Sequence, residues 1–345
     1  MTTDHSQPDQ QADAPPRPPA YLPPPPPPRR KSLWTRLLLV ALAFSVMYNF
    51  TLQVQYEQYF QSAEPPHEKF DSGDREAGDK IALIEITATI MPPYTEQAVK
   101  AIRQAKEDDN VKGVVLVIDS PGGLVADSHR IYHELQLLRE KKPMAVSMQR
   151  IAASGGYYVA MGAGPKSVIY VEPTTWTGSI GVIIPRFDAS GLAEKVGIQS
   201  DPLVTGPYKD ALSPFRPMTP DETAIWKAII DDSFDRFVKV IADNREKLDD
   251  AKVRALATGQ VYTADGALKL GMVDKVGYKE DAIAALQEEL GLAKARVVKY
   301  SFPSSFMEIL ASSAKSSNLS HQWQQLLELT VPKAMYLCSE LPTLP

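Results

Sequence analysis

The sequence predicts an α/β domain built around a mainly parallel sheet. From Lys80 onward, apolar runs rich in β-branched residues alternate with stretches of helical periodicity. Gly113–Ile118 (Gly-Val-Val-Leu-Val-Ile) is apolar at every position, as expected of a strand covered on both faces. Short glycine-bearing turns join the strands to the helices.

Composition narrows the function classes first. The chain has 345 residues and a formal net charge of −5. Arg29-Arg30-Lys31 is the one basic run, so nucleic-acid binding is not expected. Cys338 is the single cysteine, which excludes an internal disulfide and any cysteine-based zinc cluster.

In order along the chain, residues 1–31 are polar and rich in proline, ending in Pro23–Pro28. Such a segment cannot bury a core and reads as a solvated, disordered or polyproline spacer. Residues 32–50 are expected to form a transmembrane anchor: Leu33–Phe50 is apolar apart from Thr35, Arg36, Ser45 and Asn49. A spanning helix needs about 20 mostly apolar residues, with Arg36 snorkelling at one end. The basic cluster precedes this run, whereas acidic residues Glu57, Glu64, Glu68, Asp71 and Asp74 follow it. The positive-inside rule then places the N-terminus in the cytoplasm and the bulk of the chain on the outer side. A retained anchor is favoured over a cleaved signal peptide because Met47-Tyr48-Asn49-Phe50 is bulky where small residues would be wanted. Residues 51–79 are polar and read as a stalk.

In the main domain, residues 80–300, Ile81–Ile90 reads as a strand and Thr95–Asp108 as a helix with Ala98, Val99, Ile102 and Ala105 on one side. After the Gly113–Ile118 strand, Asp119-Ser120-Pro121-Gly122-Gly123 forms a turn into a helix reaching about Lys141. Met144–Met148 and Ser167–Val171 read as further strands. Thr219-Pro220-Asp221-Glu222 is a capping box with proline at the first helical position, opening a helix to about Lys247. Gly271–Gly277 brackets a short strand. The tail, 301–345, is less regular, with a helix expected over His321–Leu329 and a frayed end.

Chemistry centres on Ile151-Ala152-Ala153-Ser154-Gly155-Gly156. Small neighbours leave a serine hydroxyl uncovered, and a strand-to-helix turn aims it at unpaired helix N–H groups. By itself the tetrapeptide Ala-Ser-Gly-Gly reads as a tight packing turn; a nucleophile is the alternative. Histidine offers no obvious base: His5 and His67 fall outside the expected domain, and His321 sits in the tail. His129 and His133 are four apart on a helix but lack an intervening glutamate, so they read as solvated rather than metal-binding. A lysine is the other option. An unperturbed lysine pKa of about 10.4 requires such a base to be desolvated or placed near donors. Gly206-Pro207-Tyr208-Lys209-Asp210 supplies a lysine in a turn, which alone reads as a surface pair with Asp210.

Four stretches in series change that reading: Asp119–Gly123, Ala152–Tyr158, Thr177-Gly178-Ser179-Ile180-Gly181-Val182 and Gly206–Asp210. In this order they closely resemble the signal peptide peptidase A family of membrane-anchored serine proteases, over about Lys80 to Lys299. Gly259-Gln260-Val261-Tyr262-Thr263 and Gly271–Asp274 extend the likeness. The resemblance implies a Clp-protease/crotonase-like fold with an N-terminal transmembrane helix, in the short, single-copy form. It also implies an endopeptidase that degrades cleaved signal peptides or similar membrane-derived peptides. Ser154 matches the nucleophile, Lys209 the general base, and Ser179 the residue that orients the lysine. Gly123 and Gly155 match the oxyanion-hole amides. No metal or other cofactor is implied. The implied partners are peptide substrates, the lipid bilayer and a homo-oligomeric ring in which Lys209 can serve the Ser154 of another subunit. Two rivals are an acyl-CoA hydratase or isomerase on a related fold and a catalytically inactive membrane scaffold.

Overall fold

The computed structural model describes residues 33–61, 65–302 and 335–337. The proline-rich segment 1–31, the expected helix over His321–Leu329 and the terminal Leu341–Pro345 lie outside the described residues. The chain divides into two compact units, residues 1–62 and 63–345.

The first unit contains helix α1, Leu33–Gln61. Its apolar side chains are exposed, among them Leu38, Leu39, Leu42, Phe44 and Val46. Arg36 stands near its start, and Asn49 turns back to donate to the Ser45 carbonyl at 2.8 Å. Among the described residues, no helix is long and apolar enough to cross a membrane.

In the second unit, β1 (His67–Gly73), β2 (Lys80–Thr87), α2 (Tyr94–Glu107), β3 (Val111–Ser120) and β4 (Gly122–Leu124) come first. Then follow α3 (Val125–Arg139), β5 (Met144–Ala153), α4 (Gly155–Ala160), β6 (Ile169–Val171), β7 (Trp176–Gly178) and α5 (Ser190–Lys195). The long helix α6 (Pro220–Asn244) leads to α7 (Asp250–Leu256), β8 (Val261–Thr263), α8 (Ala264–Lys269) and β9 (Lys275–Val276). The last elements are α9 (Lys279–Glu289), β10 (Arg296–Ser301) and β11 (Met335–Leu337).

The main sheet runs β1-β10-β2-β3-β5-β6-β9, with β7 joining β5 and β8 joining β7. Pairings within β10-β2-β3-β5-β6-β9 are parallel; β1 with β10 and β7 with β8 are antiparallel. Alternation along the strands divides the core between the two sheet faces. Ala82, Ile84, Val114, Leu116, Ile118 and Val146 share a cluster with α2 and α3 residues on one side. Ile81, Leu83, Val115, Val117 and Ala145 share the other with Ile283 and Leu286 of α9. The apolar run Gly113–Ile118 of β3 is therefore the covered central strand that its sequence predicts.

Several boundaries differ from expectation for identifiable reasons. The segment 51–79 is not simply a stalk. Helix α1 continues to Gln61, and β1 adds to the sheet edge, where His67 pairs with Ser301. The polarity of β1 is that of an edge strand with most side chains in solvent. Strand β5 extends five residues past Met148, because its first half pairs with β6 and its second with β7. Helix α6 has the predicted capping box but stops at Asn244. Arg245 leaves helical geometry to reach Asp274 at 2.7 Å and the Gly271 carbonyl at 2.9 Å.

Candidate active site

Ser154 occupies the strand-to-helix turn that the sequence predicts, as the residue between β5 and α4. Its backbone lies at φ 53° and ψ −116°, a region where a side chain is strained. Such strain persists only where the surroundings over-determine it. Here the Ser154 amide donates to the Gly178 carbonyl at 2.7 Å, and the Ser154 carbonyl accepts from Tyr158 N–H at 2.9 Å. The side chain is 1% exposed, and its Oγ has no hydrogen-bond partner. A buried hydroxyl without a partner calls for an explanation, and readiness for a reacting group is one.

The second glycine-bracketed serine is brought alongside. Ala153 pairs with Gly178 across β5 and β7, so Ser154 and Ser179 follow at adjacent strand ends. Ser179 also has a positive φ, 49°, and its amide donates to Gln260 O at 2.7 Å.

Gly122, Gly123 and Gly155 meet beside Ser154. A Cβ on Gly155 would fall 3.1 Å from the Gly123 nitrogen and 2.6 Å from Ser128 Oγ. A Cβ on Gly122, whose φ is 99°, would fall 2.6 Å from the Gly155 nitrogen. The backbones therefore approach as only glycine allows. Gly122 O accepts from Ile90 N and Leu124 N donates to Ile90 O, so those groups are occupied on one side of β4. On the other side lies β11, with Met335 opposite Leu124, Tyr336 opposite Gly123 and Leu337 opposite Gly122. Met335 also exchanges both backbone hydrogen bonds with Ile183, at 2.9 and 3.0 Å. The tail strand thus lies extended between Gly122–Leu124 and Ile183, as a bound peptide would.

Lys209 makes no hydrogen bond to Ser154 Oγ within one chain. It lies exposed in a turn, its amide donating to Gly206 O at 3.2 Å, and Ser154 Oγ has no hydrogen-bond partner. The turn itself is anchored. Arg216 bridges Asp210 at 2.8 Å and the α6 capping residue Glu222 at 2.6 Å. The Arg216 guanidinium, joined by the Thr219 amide, holds the Glu222 carboxyl down at about 2.

His129 is half-buried rather than solvated, with its Nδ1 2.7 Å from Tyr158 Oη and its ring stacked on Tyr132. Burial pushes it below the ordinary histidine range. His133 is exposed, as expected. Among the described residues, no group of histidine, cysteine or carboxylate side chains could hold a metal ion.

Sequence reasoning missed Tyr336. The apolar triplet Met335-Tyr336-Leu337 is too short to announce a strand. What identifies it is its location opposite the glycines.

Comparison with known proteins finds peptidases. The pattern of peptidase family S49 matches residues 136–293, and that of Clp protease matches residues 79–182. A Synechocystis sp. protein provisionally described as a protease is 42% identical over 59% of this chain and 72% of its own length. An Enterococcus faecium protein provisionally described as signal peptide peptidase SppA is 38% identical over 58% of this chain and 57% of its own. The chloroplastic serine protease SPPA of Arabidopsis thaliana is 34% identical over 64% of this chain and 33% of its own length.

Proposed function

The chain belongs to peptidase family S49, the signal peptide peptidase A proteases, and is a serine peptidase; we propose that it cuts peptides with a Ser154–Lys209 dyad completed between subunits. The observation that carries this reading is Ser154 Oγ, buried and without a partner on a strained turn beside Gly123 and Gly155.

A peptide laid along Gly122–Leu124 presents its carbonyl to that turn. Ser154 Oγ attacks the carbonyl carbon while the neutral Lys209 amine takes the hydroxyl proton. The amides of Gly123 and Gly155 hold the oxyanion, each such donor being worth about 3–4 kcal/mol in the transition state. Lys209 returns the proton to the leaving amine, and water then releases the acyl group by the same steps. Ser179, beside Ser154 at the adjoining strand end, orients the lysine amine. The pairing partner for Ser154 comes from a second copy of the chain, because Lys209 is exposed in its own subunit. This favours a homo-oligomeric ring.

The natural substrates in this reading are cleaved signal peptides and similar membrane-derived peptides, taken in extended form. The exposed leucines, valines and phenylalanines of helix α1 hold the enzyme at the inner membrane.

The test is cleavage of fluorogenic peptides and of a synthetic signal peptide by the full chain in detergent. Activity abolished in both Ser154→Ala and Lys209→Ala, with assembly retained, is the expected result. Undiminished activity in either variant would overturn the dyad.

A further inference from the structure

We propose that the Ser128 hydroxyl is a further catalytic group, a third hydrogen-bond donor that acts on the oxyanion once the tetrahedral centre forms. This rests on the peptidase reading above and adds a residue to its machinery.

Ser128 lies near the start of α3, which leaves β4 directly after Gly122-Gly123-Leu124. It is fully buried, and its Oγ has no hydrogen-bond partner among the described residues. A Cβ on Gly155 would fall 2.6 Å from that Oγ, and the same point lies 3.1 Å from the Gly123 nitrogen and 3.1 Å from Gly122 Cα. One methyl-sized volume on Gly155 therefore touches both the hydroxyl and the Gly123 amide. Gly155 stands between two buried hydroxyls that lack a partner: its chain neighbour Ser154 and, from α3, Ser128.

Packing alone does not account for an oxygen at this place. Burying a hydroxyl without a hydrogen bond is unfavourable, and alanine would hold the same helical position without that penalty. Ser120, buried nearby, shows the contrast. Its hydroxyl donates to Ala88 O at 2.6 Å and accepts from Gly122 N at 3.2 Å, so both its roles are taken. The Ser128 hydroxyl is uncommitted, and it can turn its proton toward charge that develops beside it.

The electronics of the step set when the donor acts. As the bond from Ser154 Oγ to the carbonyl carbon forms, the hydroxyl proton passes to Lys209 and the carbonyl π pair moves onto oxygen. A carbonyl oxygen has two lone pairs, which the Gly123 and Gly155 amides take. The tetrahedral oxyanion has three, so a place for a third donor arises only on the way to the transition state. Ser128 keeps its proton throughout. When the intermediate collapses, the pair returns to the carbonyl and the third contact lapses. Such a donor lowers the barrier without tightening substrate binding.

The experiment uses the full chain in detergent and compares Ser128→Ala and Ser128→Cys with the unaltered chain. Each is measured on one fluorogenic peptide and on the matching peptide aldehyde, to which Ser154 Oγ adds to give a tetrahedral hemiacetal. The expected result is a kcat lower by about 100-fold in both variants at unchanged KM, with aldehyde affinity lower by a similar factor. Cysteine keeps the bulk but donates weakly, so it separates the hydrogen bond from packing. Ser128→Ala should also melt about 2–4 °C above the unaltered chain, because it removes a buried hydroxyl that has no partner. An unreduced kcat in either variant, or a loss carried by KM together with a lower melting temperature, would overturn the third donor while leaving the peptidase intact. No cleavage by the unaltered chain, together with no Ser154 labelling by a fluorophosphonate, would overturn both.

Discussion

The Ser154 amide donates to the Gly178 carbonyl at 2.7 Å, tying together two turns whose serines, 154 and 179, both have positive φ. Two non-glycine residues held this way each store strain of order 1–3 kcal/mol. Ser154→Gly should therefore release strain that Ser154→Ala retains. We expect Ser154→Gly to melt about 2–4 °C above Ser154→Ala by calorimetry, both being inactive. Equal melting temperatures would mean that the turn is unstrained.

Strand β11 lies across the glycines that a substrate would use. A tethered occupant competes at an effective concentration in the millimolar range. The Tyr336 ring is buried, stacked on Tyr158, and its hydroxyl donates to the Ser233 carbonyl, so Tyr336→Ala should loosen β11 and raise kcat/KM on short peptides several-fold, mostly through a lower KM. No change, or a fall at unaltered melting temperature, would show that the tail does not compete.

The Lys209 turn is held by Arg216 between Asp210 and Glu222. The Glu222 carboxyl drops from an ordinary 4.5 to about 2, chiefly through Arg216. A depressed carboxylate contributes stability that is present above its unfolded pKa and lost as pH falls through the folded one. The turn should stay protected from hydrogen exchange at pH 4.5 and above, and lose protection as pH falls toward 2. Arg216→Gln should move that loss upward toward the ordinary glutamate range and lower kcat at pH 7. An identical acid profile in the variant would contradict the anchoring role.

Arg245 is 6% exposed, donating to Asp274 and to the Gly271 carbonyl, where it ends α6. Removing one partner leaves a buried guanidinium uncompensated, which typically costs about 3–5 kcal/mol. Asp274→Ala should therefore lower the urea midpoint markedly. Lys227, paired with Asp231 on the open face of α6, provides the contrast. Lys227→Ala should shift stability by no more than about 0.5 kcal/mol.

Much of this was legible in the sequence where local patterning and tertiary demand coincide. The β-branched run of β3, the apolar stripe of α2, the Thr219–Glu222 capping box and the strand-to-helix turn at Ser154 all lie where periodicity and turn chemistry place them. Edge strand β1 was not legible, because a solvent-facing strand lacks an apolar signature. The second half of β5, Gln149–Ala153, was hidden by its small and polar residues, whose pairing with β7 no local rule foretells. Of the residues named for the site, Ser154, Gly123 and Gly155 lie together and Ser179 follows Gly178 at the adjoining strand end, while Lys209 makes no hydrogen bond to Ser154 Oγ within one chain. Neither the Tyr336–Ser233 contact nor the His129–Tyr158 contact could be read from spacing, since both join residues more than 20 positions apart.

The most direct test of the central claim is to mix Ser154→Ala chains with Lys209→Ala chains, each inactive alone, and to measure peptide cleavage after co-assembly. A dyad completed between subunits predicts recovered activity, with a fluorophosphonate adduct mapped to Ser154 of the Lys209→Ala chain. Persistent inactivity of a mixed assembly shown to contain both chains, or an adduct on any other residue, would contradict it.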